Sequence, residues 1–437
     1  MTDHIVSRRK FLSMMGSAAI SLAAGCAFSG KAAAPIRKAA RILTGDTSLD
    51  TRFLRQIITA DSRTSRTIMW QSDAPQEKAE IVWRAAGNGK NGNNEAEIFS
   101  ASATGEHYTD DGQDVYLHTA HVNNLAPGMH YEYRVICGDE GTDWTPLSTG
   151  DGGAFKALIF PDSQSSDYTD WKNLAQDAFK RNPDAAFFTN LGDLVDNGEE
   201  HSQWDAWFDA VEGMEERIPF APVMGNHETY DKQWEVRLPL AYLAEFDVPE
   251  NGSQYFSRYY YSFDFGDVHF IVLNTQWDET EEFHPGLLEE QLEWLPKDAA
   301  ASDKKWKVVM LHKDVLRYRI EKRPERTEGI SKFGEAFMPL FDELGIDVVL
   351  SAHLHTYRTR GHIKNFQRDP SGPLYILTGV AGNVRYPGLW LDHALDEIVA
   401  PQPETDNYIT LDASKDALRF QCFLPDGTII DDATVNK

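Results

Sequence analysis

Ile346-Asp347-Val348-Val349-Leu350-Ser351-Ala352-His353-Leu354-His355 is an apolar run that ends in two histidines at i and i+2. The run reads as a buried strand, and histidines two apart just past its C-terminal end can send both imidazoles to one side. Such a pair suits a metal centre if other strands supply partners. Alone it fits hydrogen-bonded histidines equally well.

The same grammar recurs upstream. Ala154–Phe160, Ala185–Thr189, Phe220–Val223 and Trp306–Leu311 read as core strands. Helical patterns cover Trp171–Arg181, Ser202–Glu216, Leu287–Leu295 and Lys332–Leu344, and Tyr259–Asn274 reads as a hairpin around Phe265-Gly266-Asp267. Residues 154–437 are therefore expected to form an α/β (α+β layered) domain with extra antiparallel strands. In such sheets functional residues gather past the C-terminal ends of strands.

The unusual polar residues fall there. Asp162-Ser163-Gln164, Gly192-Asp193-Leu194-Val195-Asp196, Gly225-Asn226-His227-Glu228, His312-Lys313-Asp314 and the His353/His355 pair each follow an apolar run. Singly these are turns, caps or terminal histidines. Five strand ends that each deliver Asp, Asn or His point to a metal site. Carboxylate, amide and imidazole donors without thiolate suit iron, manganese or zinc, divalent or trivalent, and the set is large enough for two ions. Asp193 can bridge a pair about 3.5–4 Å apart, between which water loses a proton readily and becomes a nucleophile for phosphorus.

Residues 50–152 read differently. Short alternating runs at Thr67–Gln71, Ala79–Arg84, Tyr116–Val122 and His130–Val135 predict an all-β sandwich of immunoglobulin-like size. Leu125-Ala126-Pro127-Gly128 ahead of Tyr131-Glu132-Tyr133 resembles a fibronectin type III domain. His107, His118, His121 and His130 have no convergent partners in this domain, so packing or exposure is expected of each. Cys137 and Cys422 are expected to be two buried free thiols.

The 437 residues exceed one small core and carry a net charge of −26. Such a surface repels long polyanions, so no nucleic-acid polymer is expected as a partner. A small phosphorylated substrate then needs local positive charge, which bound metal ions would supply. Residues 1–38 read as a twin-arginine signal segment: Ser7-Arg8-Arg9-Lys10-Phe11-Leu12 precedes an Ala/Ser/Gly-rich run. The expected partner is the twin-arginine export machinery, and the expected location is the periplasm or the cell surface. Leu22-Ala23-Ala24-Gly25-Cys26 resembles a lipobox, with ordinary cleavage near Lys31–Pro35 as the alternative. Membrane contact is expected only through a lipid on Cys26.

In order, Asp-x, GDxx, GNHE, a strand-ending histidine and xHxH resemble the calcineurin-like metallophosphoesterase superfamily. The preceding sandwich makes the chain similar to purple acid phosphatases and their bacterial relatives. The resemblance implies a binuclear phosphoester hydrolase in which Asp162, Asp193 and His355 hold one metal. Asp193, Asn226, His312 and His353 would hold the other. It makes Asp193 and His227 the catalytic pair, with His227 either facing the substrate or orienting Asn226.

Three departures stand out. The tyrosine that purple acid phosphatases place three residues after the bridging aspartate is Asp196 here. Gln164 replaces a histidine and either ligates or points away. Lys313, Arg317 and Arg319 stand where substrate-binding histidines are expected, and read as a solvated basic loop. The acidic run Asp278–Glu282 likewise reads as a solvated face, and Trp204, Trp207 and Phe208 as core or rim. The expected activity is that of an exported phosphomonoesterase using metal-bound hydroxide. A phosphodiesterase, or a non-catalytic surface protein with structural metals, is the alternative.

Overall fold

The computed structural model describes residues 49–87 and 97–437, so the expected signal segment and Cys26 lie outside the described residues. Three sheets organise the chain. A ten-stranded sheet runs, in spatial order, Ile429–Asn436, Ala417–Phe423, Tyr408–Ala413, Phe155–Phe160, Ala185–Asn190, Phe220–Pro222, Arg52–Ile57, Arg66–Ser72, Gln113–Val122 and Thr104–Asp110. A second sheet is centred on Val268–Val272, Trp306–Met310, Val348–Ser351 and Leu374–Thr378, all parallel. A third, five-stranded sheet built on Ala79–Ala85 and His130–Cys137 covers the N-terminal half of the first.

The core strands of the second domain thus belong to two facing sheets. Three pair as Leu158↔Phe188↔Phe220, the others as Val272↔Met310↔Leu350. The faces meet through aromatic rings: Phe187 lies 5.7 Å from Phe263 and 5.4 Å from Phe270, both edge-on. Edge-on pairs contribute about 0.5–1.5 kcal/mol each beyond burial of their area. Outside the first sheet, Trp171 and Trp207 stack at 5.8 Å between helices Thr169–Arg181 and His201–Val211. Trp204, Trp207 and Phe208 are all buried there.

The N-terminal sandwich has its own core, with Ile68, Trp70 and Val122 against Ile81, Tyr133 and Val135. It is joined to the second domain through the first sheet, where Ile57 pairs with Phe220 in parallel. Beside that seam Arg55 donates to Glu245 at 2.6 Å with both side chains fully buried, and Gln71 and Tyr108 donate to the same carboxylate at 2.8 Å. A buried ion pair survives only when its remaining lone pairs are satisfied, and here they are.

Helix Lys332–Leu344 has the expected bounds, capped by the Ser331 hydroxyl and stopped by Gly345 at φ 63°. The helix expected over Ser202–Glu216 stops at Val211, because Gly213 takes φ 79°. That starting at Leu287 runs on to Ala301 through Pro296, carried by an Ala-rich tail. Cys422 is buried, but Cys137 is only half-buried, at the end of its strand.

His269 gives a pH-dependent stability. It lies between Asp264 at 2.8 Å and Asp298 at 2.9 Å. Burial alone would lower its pKa, but the two carboxylates outweigh that and raise it from 6.5 to about 9. The folded value exceeds the unfolded one, so the stabilisation is complete below about pH 6.5 and is lost as pH rises to about 9. His269→Gln should therefore cost about 2 kcal/mol at pH 6 and almost nothing at pH 9.5, measured by urea unfolding. A loss that is equal at both pH values would refute this.

Candidate metal centre

The C-terminal ends of strands from both large sheets open onto one cleft edge. Asp162 follows Phe155–Phe160, Asp193 follows Ala185–Asn190, and Asn226 and His227 follow Phe220–Pro222. His312 follows Trp306–Met310, and His353 and His355 follow Val348–Ser351. Two overlapping donor groups result, Asp193–His312–His353 and Asp162–Asp193–His355, each with its ligand atoms within 4.8 Å of one another. Asp193 belongs to both.

The backbone is bent to achieve this. Asp193, His353 and His355 take φ of 52°, 77° and 52°, a left-handed conformation that costs non-glycine residues about 1–3 kcal/mol each. The loops are also pressed together. A Cβ on Gly225 would lie 2.2 Å from the Asp193 amide nitrogen, and one on Gly192, at φ 96°, would lie 2.6 Å from His312 Nδ1. Glycine is required at both positions.

Secondary contacts fix which ring atoms face the cleft. His312 Nδ1–H donates to the Leu191 carbonyl at 2.8 Å and His355 Nδ1–H to that of Val384 at 2.5 Å, so both present Nε2. His312 Nε2 then lies 3.2 Å from each of Asp193 Oδ2, Asn226 Oδ1 and His353 Nδ1. His355 Nε2 lies 3.4 Å from Asp162 Oδ1.

This arrangement fits metal ions on physical grounds. Lone pairs of imidazole, amide and carboxylate converge on one another, and one proton cannot serve them all. Asp162 and Asp193 are at most 1% exposed, and among the described residues neither pairs with a lysine or arginine. Two such carboxylates need a cation. Gln164 Oε1 is buried without a hydrogen-bond partner, while its Nε2 lies 3.3 Å from His227 Nε2. An orphaned amide oxygen at this place fits a ligand.

Burial alone would raise the Asp193 pKa, but His312 and His227 hold its carboxyl well below the usual carboxylate range. Burial lowers and Asp193 raises that of His312, which settles at about 9. His227 Nδ1–H donates to the Asp196 carbonyl at 2.7 Å, leaving Nε2 to face the cleft 3.8 Å from Asp193 Oδ2.

The basic and acidic loops are solvated only in part: Arg317, Arg319, Asp278, Glu281 and Glu282 are exposed as expected, but Lys313 and Glu279 are not. Lys313 is 7% exposed and donates to Glu279 at 2.5 Å, and Lys332 pairs with Asp278. The sequence conceals that Lys313 and Glu279, 34 residues apart, neutralise each other. Arg317 and Arg319 do lie on the surface, Arg319 within 3.6 Å of Glu328. Sequence reasoning also missed a carboxylate beneath the ligands: Asp314 accepts from Ser351 Oγ at 2.8 Å and from Arg360 at 2.6 Å, with all three side chains buried. Its adjacency to His312 was the available signal.

A family model for calcineurin-like phosphoesterases matches residues 135–357, just over half of the chain and spanning every donor from Asp162 to His355. One for the purple acid phosphatase N-terminal domain matches residues 54–149. Purple acid phosphatase 15 of Arabidopsis thaliana is 32% identical over 208 residues, 46% of this chain and 36% of that protein. Acid phosphatase type 7 of Mus musculus is 25% identical over 317 residues, 65% of this chain and 69% of its own. Across the Arabidopsis relatives the match spans 34–59% of their length. A purple acid phosphatase from yellow lupin (Lupinus luteus) seeds shares the fold with a TM-score of 0.68 at 17% identity, over 89% of this chain and 74% of that one. PhoD shares it with a TM-score of 0.58 at 12% identity, over 89% and 90%.

Proposed function

Because the chain belongs to the calcineurin-like phosphoesterase family, we propose that it is an exported, binuclear metal-dependent phosphoester hydrolase of purple acid phosphatase type, acting on phosphomonoesters. The observation that carries this reading is the pair of donor groups sharing Asp193, with His227 beside the shared carboxylate. Asp162, Gln164, Asp193 and His355 would hold one ion, and Asp193, Asn226, His312 and His353 the other. When bound, iron, manganese or zinc would supply positive charge against the phosphoryl oxygens and would acidify water at neutral pH.

The chain's own residues do the rest. The Asp196 carbonyl and the Tyr230 and Trp234 rings fix the His227 imidazole. With both ring nitrogens protonated, Nε2–H would pass its proton to a leaving oxygen placed opposite it, and the ring would be left neutral with Nδ1–H still on the Asp196 carbonyl. The His227 N–H donates to Asp193 Oδ1 at 2.8 Å, so the proton donor and the shared carboxylate move as one unit. Export is supported by Arg8-Arg9 and the run that follows, with Cys26 as the site of any lipid anchor.

Protein reconstituted separately with manganese, zinc or iron is expected to hydrolyse p-nitrophenyl phosphate faster than bis(p-nitrophenyl) phosphate. Chelation should abolish the activity. Preference for the diester would replace the monoesterase by a phosphodiesterase, and full activity of metal-stripped protein would sink both.

A further inference from the structure

We propose that a cavity between the N-terminal sandwich and the second domain is a binding site for a linear alkyl polyamine, held by the buried Glu215 carboxylate and the acidic side chains around it. The cavity shares no residue with the two donor groups of the metal centre, so the site goes beyond the phosphoester reading and does not depend on it.

The cavity has a volume of about 450 Å³. Thr51, Phe53 and Thr145 wall it from the N-terminal domain, and Asp209, Glu212, Glu215 and Glu216, around the end of helix His201–Val211, from the other. The seam beside it is closed by Gln56, whose N–H donates to the Glu215 carbonyl at 2.8 Å and whose Nε2 donates to the Glu216 carbonyl at 2.7 Å.

Glu215 is 2% exposed, and among the described residues its carboxylate makes no hydrogen bond and no ion pair. A carboxylate so placed needs a cation or a proton. The guanidinium that acts on it, that of Arg55, is already committed to Glu245 at 2.6 Å, so one buried arginine serves two buried carboxylates. The Thr51 hydroxyl, which lines the same cavity, is also buried without a hydrogen-bond partner.

The rest of the lining repeats the imbalance. Asp143, Asp209, Glu212 and Glu216 form no ion pair among the described residues, and Arg52, the cation of this lining, is taken by Asp205 at 3.1 Å. Burial, and after it the neighbouring carboxylates, pushes the Glu215, Asp209 and Glu216 carboxyls up, with Arg55 opposing this at Glu215. A bound cation reverses such a shift.

Shape chooses between cations. Among the described residues the groups of three close donors are the two that share Asp193, so no three carboxylates of this cavity converge on one point. A compact metal ion needs that convergence, whereas ammonium groups spaced along a chain do not. Leu49, Phe53 and Leu54 offer apolar surface to the methylenes between them.

The test titrates spermidine into the full-length, metal-loaded protein at physiological ionic strength, followed by calorimetry, with calcium chloride as the rival probe. Spermidine should bind at one saturable site and raise the unfolding temperature. Glu215→Gln, which keeps the side chain's shape and removes a buried charge, should weaken binding by about tenfold or more. Asp209→Asn, at the exposed rim, should weaken it by about threefold and carries the test if the first variant does not fold. Glu282→Gln, an exposed acid outside the cavity, should change nothing. Parental affinity in both cavity variants overturns the proposal, and so does equal weakening by Glu282→Gln, which marks general attraction to an acidic surface. Calcium that binds more tightly and displaces spermidine makes this a metal site instead. A parent protein that binds no spermidine reduces Glu215 to a protonated buried carboxyl.

Discussion

Asp193→Asn should lower kcat for p-nitrophenyl phosphate by about a thousandfold, some 4 kcal/mol of barrier, while the protein stays folded. Asparagine keeps an oxygen to accept the His227 N–H, which Asp193 Oδ1 accepts at 2.8 Å, so the loop geometry survives. What is lost is the charge common to both donor groups. Metal analysis after desalting should show both ions weakened in this variant. Asp162→Asn should weaken the group with His355, and His353→Ala the group with His312. That asymmetry separates a shared ligand from two independent ones. Asp193→Asn protein that keeps two ions and parental turnover would end the reading of Asp193 as the shared ligand.

How far the sequence revealed this site depended on the range of the interactions involved. His353 and His355 were legible because they directly follow a local apolar run, as do the polar residues after each of the other core strands. Sheet membership was not. Leu158 and Met310 are equally apolar, and only the distant registers Leu158↔Phe188 and Met310↔Leu350 assign them to different sheets. The layered domain expected from the sequence is consequently two facing sheets whose strand ends meet over the donors.

The charged loops show the same limit. Glu279 and Lys313 are 34 residues apart, and nothing within either run signals that they neutralise each other. The early end of the helix after His201 was readable in principle, since Gly213 interrupts the pattern. The continuation through Pro296 was not, because Pro ordinarily breaks a helix interior and here packing of Leu295 and Ala299 overrides it.

The same contrast sets the second large effect. Glu228 reads in sequence as the last letter of a motif, but its carboxylate is what joins the two loops carrying Asp193 and Asn226. It is 1% exposed and accepts the N–H groups of Asp193 at 3.0 Å, Leu194 at 2.8 Å and Gly225 at 2.6 Å. Removing it leaves these buried donors unpaired, and each costs about 1–3 kcal/mol. It also releases Asp193 from its left-handed backbone at φ 52°. Glu228→Ala should therefore lose about 4 kcal/mol of stability, lowering the unfolding temperature by roughly 8 °C. It should also weaken metal binding about 10–100-fold, although the carboxylate belongs to neither donor group. Glu228→Gln discriminates the cause: its amide offers one acceptor oxygen and turns an NH2 toward the remaining backbone donors, so it should recover only part of the stability. Should Glu228→Gln match the parent in both unfolding temperature and metal affinity, the carboxylate would be a space-filler, and the strain at Asp193 would have to be held by the glycine contacts alone.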